Sequence, residues 1–114
     1  MVTAMFDGLR LAHWQADRRP DGILVLTLDR ADQGVNALSR GVLDELEAMI
    51  ERIALEVPKG IVIRSGKDAG FIPGADIKGF EEIAAKGLVE DWIRRGQLAF
   101  QKLAELRCPT VAAI

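Results

Sequence analysis

The segment from Gly60 to Phe80 constrains the fold of this chain more than any other stretch. It opens with the apolar run Gly60 to Ser65, which predicts a buried strand, passes a polar turn, and reaches a loop that begins at Phe71. A helical pattern follows from Ile77. Because the first N–H groups of a helix have no partner inside the helix, a strand, a bend and a helix in this order can form a backbone site for a negatively charged atom.

Two residues of the loop favour such a site. Pro73 has no N–H to lose, and Gly74 can adopt backbone angles that a side chain forbids, so the pair can turn the chain sharply. The N–H of Ala75 is then left free to face a ligand. The alternative is an ordinary strand-to-helix connection, which is a common feature of α/β chains.

Two strands are predicted before this segment. Gly8 to Asp17 alternates between apolar and polar residues, and within it His13 is interpreted as a structural residue rather than a base. Arg18 to Gly22 has turn chemistry, and Ile23 to Leu28 is a continuous apolar run that indicates a more buried strand. The short connection predicts an antiparallel hairpin.

An amphipathic helix is predicted after the hairpin. Ser39 is a good N-cap, and apolar residues follow at steps of three and four until the helix ends near Glu56, before Pro58. Two nearby carboxylates can act as an acid/base pair, but on a solvated helix face they are more often solubility charges. We interpret the acidic residues of this helix as such charges: Asp44, Glu45, Glu47 and Glu51.

The last part of the chain predicts two helices and a strand. A short helix runs from Ile77 to Lys86 and is closed by Gly87, and a longer one runs from Leu88 to about Leu106 with Trp92 and Phe100 in the core. Thr110 to Ile114 begins a fourth strand. The predicted order is β-β-α-β-α-α-β, which defines an α/β fold.

Composition excludes several functions. The 114 residues carry a net charge of −2, which gives no general attraction to nucleic acid or anionic membranes. No run approaches the roughly 18 apolar residues of a membrane span. Cys108 is the single cysteine and His13 the single histidine, so the sequence predicts no disulfide and no metal site, and a cytoplasmic location is expected. The glycine spacings fit neither a nucleoside-triphosphate loop nor a dinucleotide fingerprint.

The amino-acid sequence of the loop from Phe71 to Phe80 resembles that of a known family. Phe71-Ile72-Pro73-Gly74-Ala75-Asp76-Ile77-Lys78-Gly79-Phe80 resembles the oxyanion-loop motif of the enoyl-CoA hydratase/isomerase (crotonase) family. With the strand Lys59 to Lys67, it looks like the N-terminal part of the α-subunits of fatty-acid oxidation complexes, over about Ile23 to Ile114. The resemblance implies that residues 1–114 are a single partial domain, the N-terminal half of a crotonase-like β-β-α superhelix with an incomplete sheet.

The resemblance also implies site residues. Ala75 matches the first backbone donor of the oxyanion hole, and Lys78 is expected either to reach a CoA phosphate or to be a solvated lysine at a helix start. Arg30 is followed by Ala31 where family members often have proline, which leaves the conformation of the following loop open. The residues expected to bind CoA or its thioester are Ala37, Leu38, Gly74, Ala75, Asp76, Ile77 and Lys78.

The implied substrate is an acyl-CoA thioester, with coenzyme A as part of the substrate and no separate cofactor. The second oxyanion donor and the acid/base glutamates of the family match no residue here, so the parent protein is expected to be a hydratase/isomerase and the 114-residue piece to be inactive and to self-associate. The narrower resemblance implies an NAD-dependent dehydrogenase domain and a thiolase subunit in the parent complex. Alternatives are another crotonase reaction (isomerisation, hydrolysis or decarboxylation) and a non-catalytic module that binds CoA or a partner.

Overall fold

The computed structural model describes residues 4–31, 33–74 and 77–114, with side chains described outside 77–80. A 3₁₀ turn at Ala4–Phe6 comes first. The elements that follow are β1 (Trp14–Arg18), β2 (Ile23–Leu28), α1 (Arg40–Leu55), β3 (Gly60–Ser65), α2 (Ile77–Ala85), α3 (Val89–Ala104) and β4 (Thr110–Ala113). The predicted order of strands and helices is confirmed.

The four strands form one mixed sheet in the order β1-β2-β3-β4. β1 and β2 are an antiparallel hairpin, as predicted, with Gly22 at a positive φ of 86° in its turn. β2 pairs in parallel with β3, and β3 pairs in parallel with β4. Since β2, β3 and β4 run the same way, the loops that follow their carboxyl ends meet at one edge of the sheet.

The first strand is shorter than the sequence predicts. We expected it to span Gly8 to Asp17, but β1 begins at Trp14, which pairs with Leu28 at the end of β2. Residues before Trp14 have no partner in β2 because that strand has ended, and Leu9 and Leu11 pack against the core outside the sheet. Pairing, rather than alternation alone, sets where a strand starts.

Helix α1 covers the sheet through its apolar face. Ser39 is the N-cap, and its side chain accepts a hydrogen bond from the Val42 N–H at 3.3 Å. The buried side chains of α1 pack with those of the strands in one hydrophobic core. They are Val42, Leu43, Leu46, Met49, Ile50 and Ile53. The helix ends at Leu55, as expected from Pro58.

Helix α3 is only partly embedded in this core. Ala99 and Leu103 are buried, whereas Trp92 and Phe100 are half-buried and pack against the edge of the core. β4 forms the far edge of the sheet, where Val111 is 57% exposed. None of the described helices has both the length and the apolar character needed to cross a membrane.

Candidate functional site

The loops that follow β2 and β3 are joined by a backbone hydrogen bond. The N–H of Leu38 donates to the carbonyl oxygen of Gly74 at 2.7 Å. Two segments that the sequence predicts to bind the ligand, Ala37–Leu38 and the loop that contains Gly74, therefore lie side by side at the carboxyl edge of the sheet. Gly74 has a φ of 137°, which a side chain rarely adopts.

A buried amide holds the first of these segments in place. Asn36 is 1% exposed, and its Nδ2 donates to the carbonyl oxygen of Leu28 and to Ser65 Oγ, both at 2.8 Å. Its Oδ1 accepts from the N–H of Arg30 at 3.0 Å. One side chain thus links the ends of β2 and β3 to the loop that carries Ala37. In the sequence, nothing distinguishes Asn36 from an ordinary polar loop residue.

Arg30 supports the same segment from inside the protein. It is 4% exposed, and its Nη1 donates to the carbonyl oxygen of Ala37 at 3.1 Å. Ala37 itself is buried, and Leu38 is half-buried beside it. The loop is therefore ordered by an arginine and an asparagine although it lacks the proline that family members often carry.

The loop before α2 opens onto a small cavity. This cavity has a volume of about 310 Å³ and is lined by Val35, Asn36, Ala69, Gly70, Phe71, Ile72, Pro73 and Ile114. It lies between the predicted oxyanion loop and the end of β4. In this position a ligand atom can approach both the loop backbone and Ile114, which follows the fourth strand.

Several predicted site residues are not described by the structure. Ala75 and Asp76 lie outside the described residues, so the expected oxyanion donor stays a prediction. Ile77 and Lys78 are the first residues of α2, and their side chains are not described. Of the expected set, the structure brings together Ala37, Leu38 and Gly74.

A larger apolar cavity lies between α1 and α3. It has a volume of about 620 Å³ and is lined by Leu38, Leu43, Trp92, Ile93, Gly96, Gln97, Phe100 and Gln101. We call it the α1–α3 cavity. The sequence analysis placed Trp92 and Phe100 in the core, and the structure corrects this in part, because both pack against the core with one side and line this cavity with the other.

Ion pairs fix α3 against α1 beside the α1–α3 cavity. Arg95 Nε donates to Glu47 Oε1 at 2.9 Å, and its Nη2 donates to Asp44 and to Glu47 Oε2. The hydrogen bond with Glu47 is the main reason that the pKa of Arg95 is raised above its ordinary value. The prediction that both are solvated charges holds for Asp44, which is exposed, but it is incomplete, because both carboxylates pair with Arg95 and Glu47 is only partly exposed.

Glu45 also departs from that prediction. Its side chain is 12% exposed, and Oε1 accepts from the N–H groups of His13 at 2.9 Å and Trp14 at 3.2 Å. Trp14 is the first residue of β1 and His13 directly precedes it, so the carboxylate caps the start of the strand. Glu51, by contrast, is exposed, as expected.

Solved structures with this architecture define the class of fold. An enoyl-CoA hydratase from Mycobacterium smegmatis is 25% identical, with a TM-score of 0.78 over 87% of this chain and 38% of its own. One from Bacillus anthracis is 23% identical, with a TM-score of 0.77 over 90% of this chain and 39% of its own. The four-stranded sheet and its helices are therefore part of the crotonase fold.

Sequence comparison gives the more particular relationship. A fatty acid oxidation complex subunit alpha from Idiomarina loihiensis is 34% identical over 97 residues, which are 84% of this chain and 14% of that protein. A second, from Shewanella oneidensis, is 33% identical over 98 residues. No protein-family model matches the chain. The chain is thus a homologue of a segment of these α-subunits, spanning about one seventh of their length, and the predicted resemblance is confirmed.

Proposed function

We propose that this chain supplies part of the acyl-CoA site of an enoyl-CoA hydratase/isomerase that acts in fatty-acid β-oxidation. The hydrogen bond from the Leu38 N–H to the Gly74 carbonyl oxygen is the observation that carries the proposal. It places the expected pocket segment against the expected oxyanion loop. The names of the structural and sequence relatives support the same reaction class.

The proposed chemistry depends on backbone donors. Addition of water to a 2-enoyl thioester, or movement of a 3-enoyl double bond, places negative charge on the thioester oxygen. The N–H of Ala75 is proposed to donate to that oxygen, and one such donor contributes on the order of 3 kcal/mol to stabilisation of the enolate. Gly74, at a φ of 137°, turns the chain immediately before this donor.

The other catalytic groups that the reaction needs are not assigned to residues 1–114. The family resemblance assigns the second donor and the acid/base glutamates to positions that follow β4, and no glutamate of this chain takes that role. Coenzyme A enters with the substrate. An NAD-dependent dehydrogenase domain, a thiolase partner and a cytoplasmic location belong to the proposal for the whole protein, and self-association belongs to the proposal for residues 1–114. The relatives are named as subunits of a complex, which supports a partner in general.

Calorimetric titration with crotonyl-CoA tests the binding half of the proposal. Gly74→Ala is compared with Gly87→Ala, because both glycines have a positive φ, of 137° and 70°, and an added Cβ meets no atom within 4 Å at either. Both variants therefore carry backbone strain without a steric clash, and Gly87 lies after α2, away from the cavity at the loop. We expect Gly74→Ala to weaken binding by about tenfold, or about 1.4 kcal/mol, relative to Gly87→Ala.

Three results would oppose the proposal or a part of it. Equal weakening by both variants would mean that loop strain, rather than the position of Gly74 beside Leu38, determines affinity. Hydration of crotonyl-CoA by residues 1–114 alone, above the uncatalysed rate, would contradict the assignment of the acid/base residues to the part of the protein beyond β4. Absence of any binding would favour a module that recognises a partner protein.

A further inference from the structure

His13 lies between the loop after β2 and the first turn of α1. Its Nδ1 accepts a hydrogen bond from the N–H of Ala31 at 3.1 Å, and its Nε2 lies 3.9 Å from Glu45 Oε2. The side chain is 15% exposed. A Cβ added at Gly41 would lie 3.0 Å from Nε2, so the ring occupies the space above the start of the helix.

These contacts fix the tautomer of the ring. A neutral imidazole has one nitrogen that donates and one that accepts. Because Nδ1 accepts from Ala31, the proton of the neutral ring is on Nε2, which faces Glu45. A second proton would occupy Nδ1 and set two donors, Nδ1–H and the Ala31 N–H, against each other, so the hydrogen bond would be lost.

The loop held by His13 leads directly to the candidate site. The His13 carbonyl oxygen also accepts from the N–H of Asp29 at 2.7 Å, so backbone and ring together bind two points of the loop that starts after β2. That loop continues through Asn36 to Leu38, whose N–H donates to Gly74. Ala31 and Leu38 thus lie on one loop, whose middle part is also held by the hydrogen bonds of Asn36 and Arg30.

We propose that His13 is a positioning residue for the Ala37–Leu38 segment: its neutral ring holds Ala31 and thereby keeps the segment beside Gly74, and protonation of the ring releases it. The ligand-binding role of this segment rests on the proposed function, whereas the hydrogen bonds that hold it do not.

The charged groups around the ring do not substitute for the lost acceptor. Of the described residues, Glu45 on α1 is the carboxylate within 4 Å of His13. It attracts an imidazolium, but it faces Nε2 and cannot accept from the Ala31 N–H. On the loop, the Asp29 carboxylate pairs with Lys67 Nζ at 2.6 Å, and the Arg30 guanidinium donates to the Ala37 carbonyl oxygen.

Nitrogen NMR of the ring is the direct test. The chain has one histidine, so its ring signals need no further assignment. We expect a protonated Nε2 and an unprotonated Nδ1 at pH 8, with a scalar coupling across the hydrogen bond between the Ala31 N–H and Nδ1. The coupling should disappear as the ring is protonated, and the exchange protection of the Leu38 amide should fall by about tenfold, the equivalent of one lost hydrogen bond.

Two variants separate positioning from general stability. His13→Asn places an amide oxygen near the position of Nδ1 but cannot be protonated, so Leu38 protection should be retained and should not change between pH 5 and 8. His13→Leu removes the acceptor and should lower the protection at all pH values. Crotonyl-CoA affinity should follow the same pattern in the three proteins.

The inference is overturned by a neutral ring with its proton on Nδ1, by absence of the coupling at pH 8, or by equal pH dependence in wild type and His13→Asn. These readouts need no ligand. If they appear as expected and crotonyl-CoA does not bind, the proposed function fails and the role of His13 in holding the loop stands.

Discussion

Asn36→Ala tests the arrangement that orders the candidate site. The substitution removes three hydrogen bonds of a side chain that is 1% exposed. Each bond contributes roughly 0.5–1.5 kcal/mol net. Two of the partners keep another bond, since the Leu28 carbonyl oxygen also accepts from Gly66 and Ser65 Oγ also accepts from the Lys67 N–H. We therefore expect a loss of about 2–3 kcal/mol in the free energy of unfolding.

Urea unfolding measures this loss. With a slope of about 2 kcal/mol per molar, the midpoint should fall by about 1–1.5 M while the slope stays unchanged. Val35→Ala is the control, because Val35 is the adjacent residue, is 41% exposed, and should change stability by less than about 0.5 kcal/mol. Equal midpoints for Asn36→Ala and Val35→Ala would refute the claim that the amide joins the two strand ends.

A double-mutant cycle locates the effect within the network. Ser65→Ala removes one of the three Asn36 hydrogen bonds, so the two substitutions together should destabilise by less than their sum. We expect a coupling of about 1 kcal/mol between the two sites. Strict additivity would mean that the 2.8 Å contact between Nδ2 and Oγ contributes nothing to stability.

Three further predictions concern the rest of the molecule. Arg95→Met should lower the free energy of unfolding in urea by about 0.5–1 kcal/mol at low salt, because it removes ion pairs with Asp44 and Glu47. The loss should be smaller at about 1 M salt, since these pairs are partly exposed and are screened. A loss that does not depend on salt would contradict this. Leu46→Ala should cost about 2–5 kcal/mol by the same assay because Leu46 is 0% exposed, whereas Leu55→Ala, at a position 86% exposed, should be nearly neutral; similar losses for both would contradict the assigned core. Burial raises the pKa of the Cys108 thiol, so iodoacetamide should alkylate it more slowly in the folded than in the unfolded protein near pH 8. The alkylation rate of the folded protein should increase toward higher pH. Equal rates for the folded and unfolded protein would show that burial does not affect the thiolate.

Local patterns predicted most of the secondary structure. β2 and β3 were predicted at their observed bounds because each is an apolar run enclosed by turn residues. Ser39 correctly indicated the start of α1, because an N-cap side chain bonds to the first turn of its own helix. The predicted start of β1 was wrong because the strand begins where it can pair with the end of β2. The alternation of residues in the first strand gives no information about where β2 ends.

The interactions that build the site were harder to predict, since they join residues far apart in the sequence. The Asn36 amide reaches Ser65, Arg95 reaches Glu47, and the Glu45 carboxylate reaches the start of β1. In the sequence, each looks like an ordinary polar residue of a loop or a solvated helix. The α1–α3 cavity was missed for a similar reason, because a helical stripe that packs on a core and one that lines a cavity have the same spacing.

The Ala37–Leu38 segment and the loop that contains Gly74 are proposed to form one side of an acyl-CoA site. Mapping amide chemical shifts during titration with crotonyl-CoA tests it most directly. The largest changes should occur at Ala37, Leu38 and Gly74, at the carboxyl edge of the sheet. Changes confined to Trp92 and Phe100 in the α1–α3 cavity, or no change at saturating ligand, would contradict it.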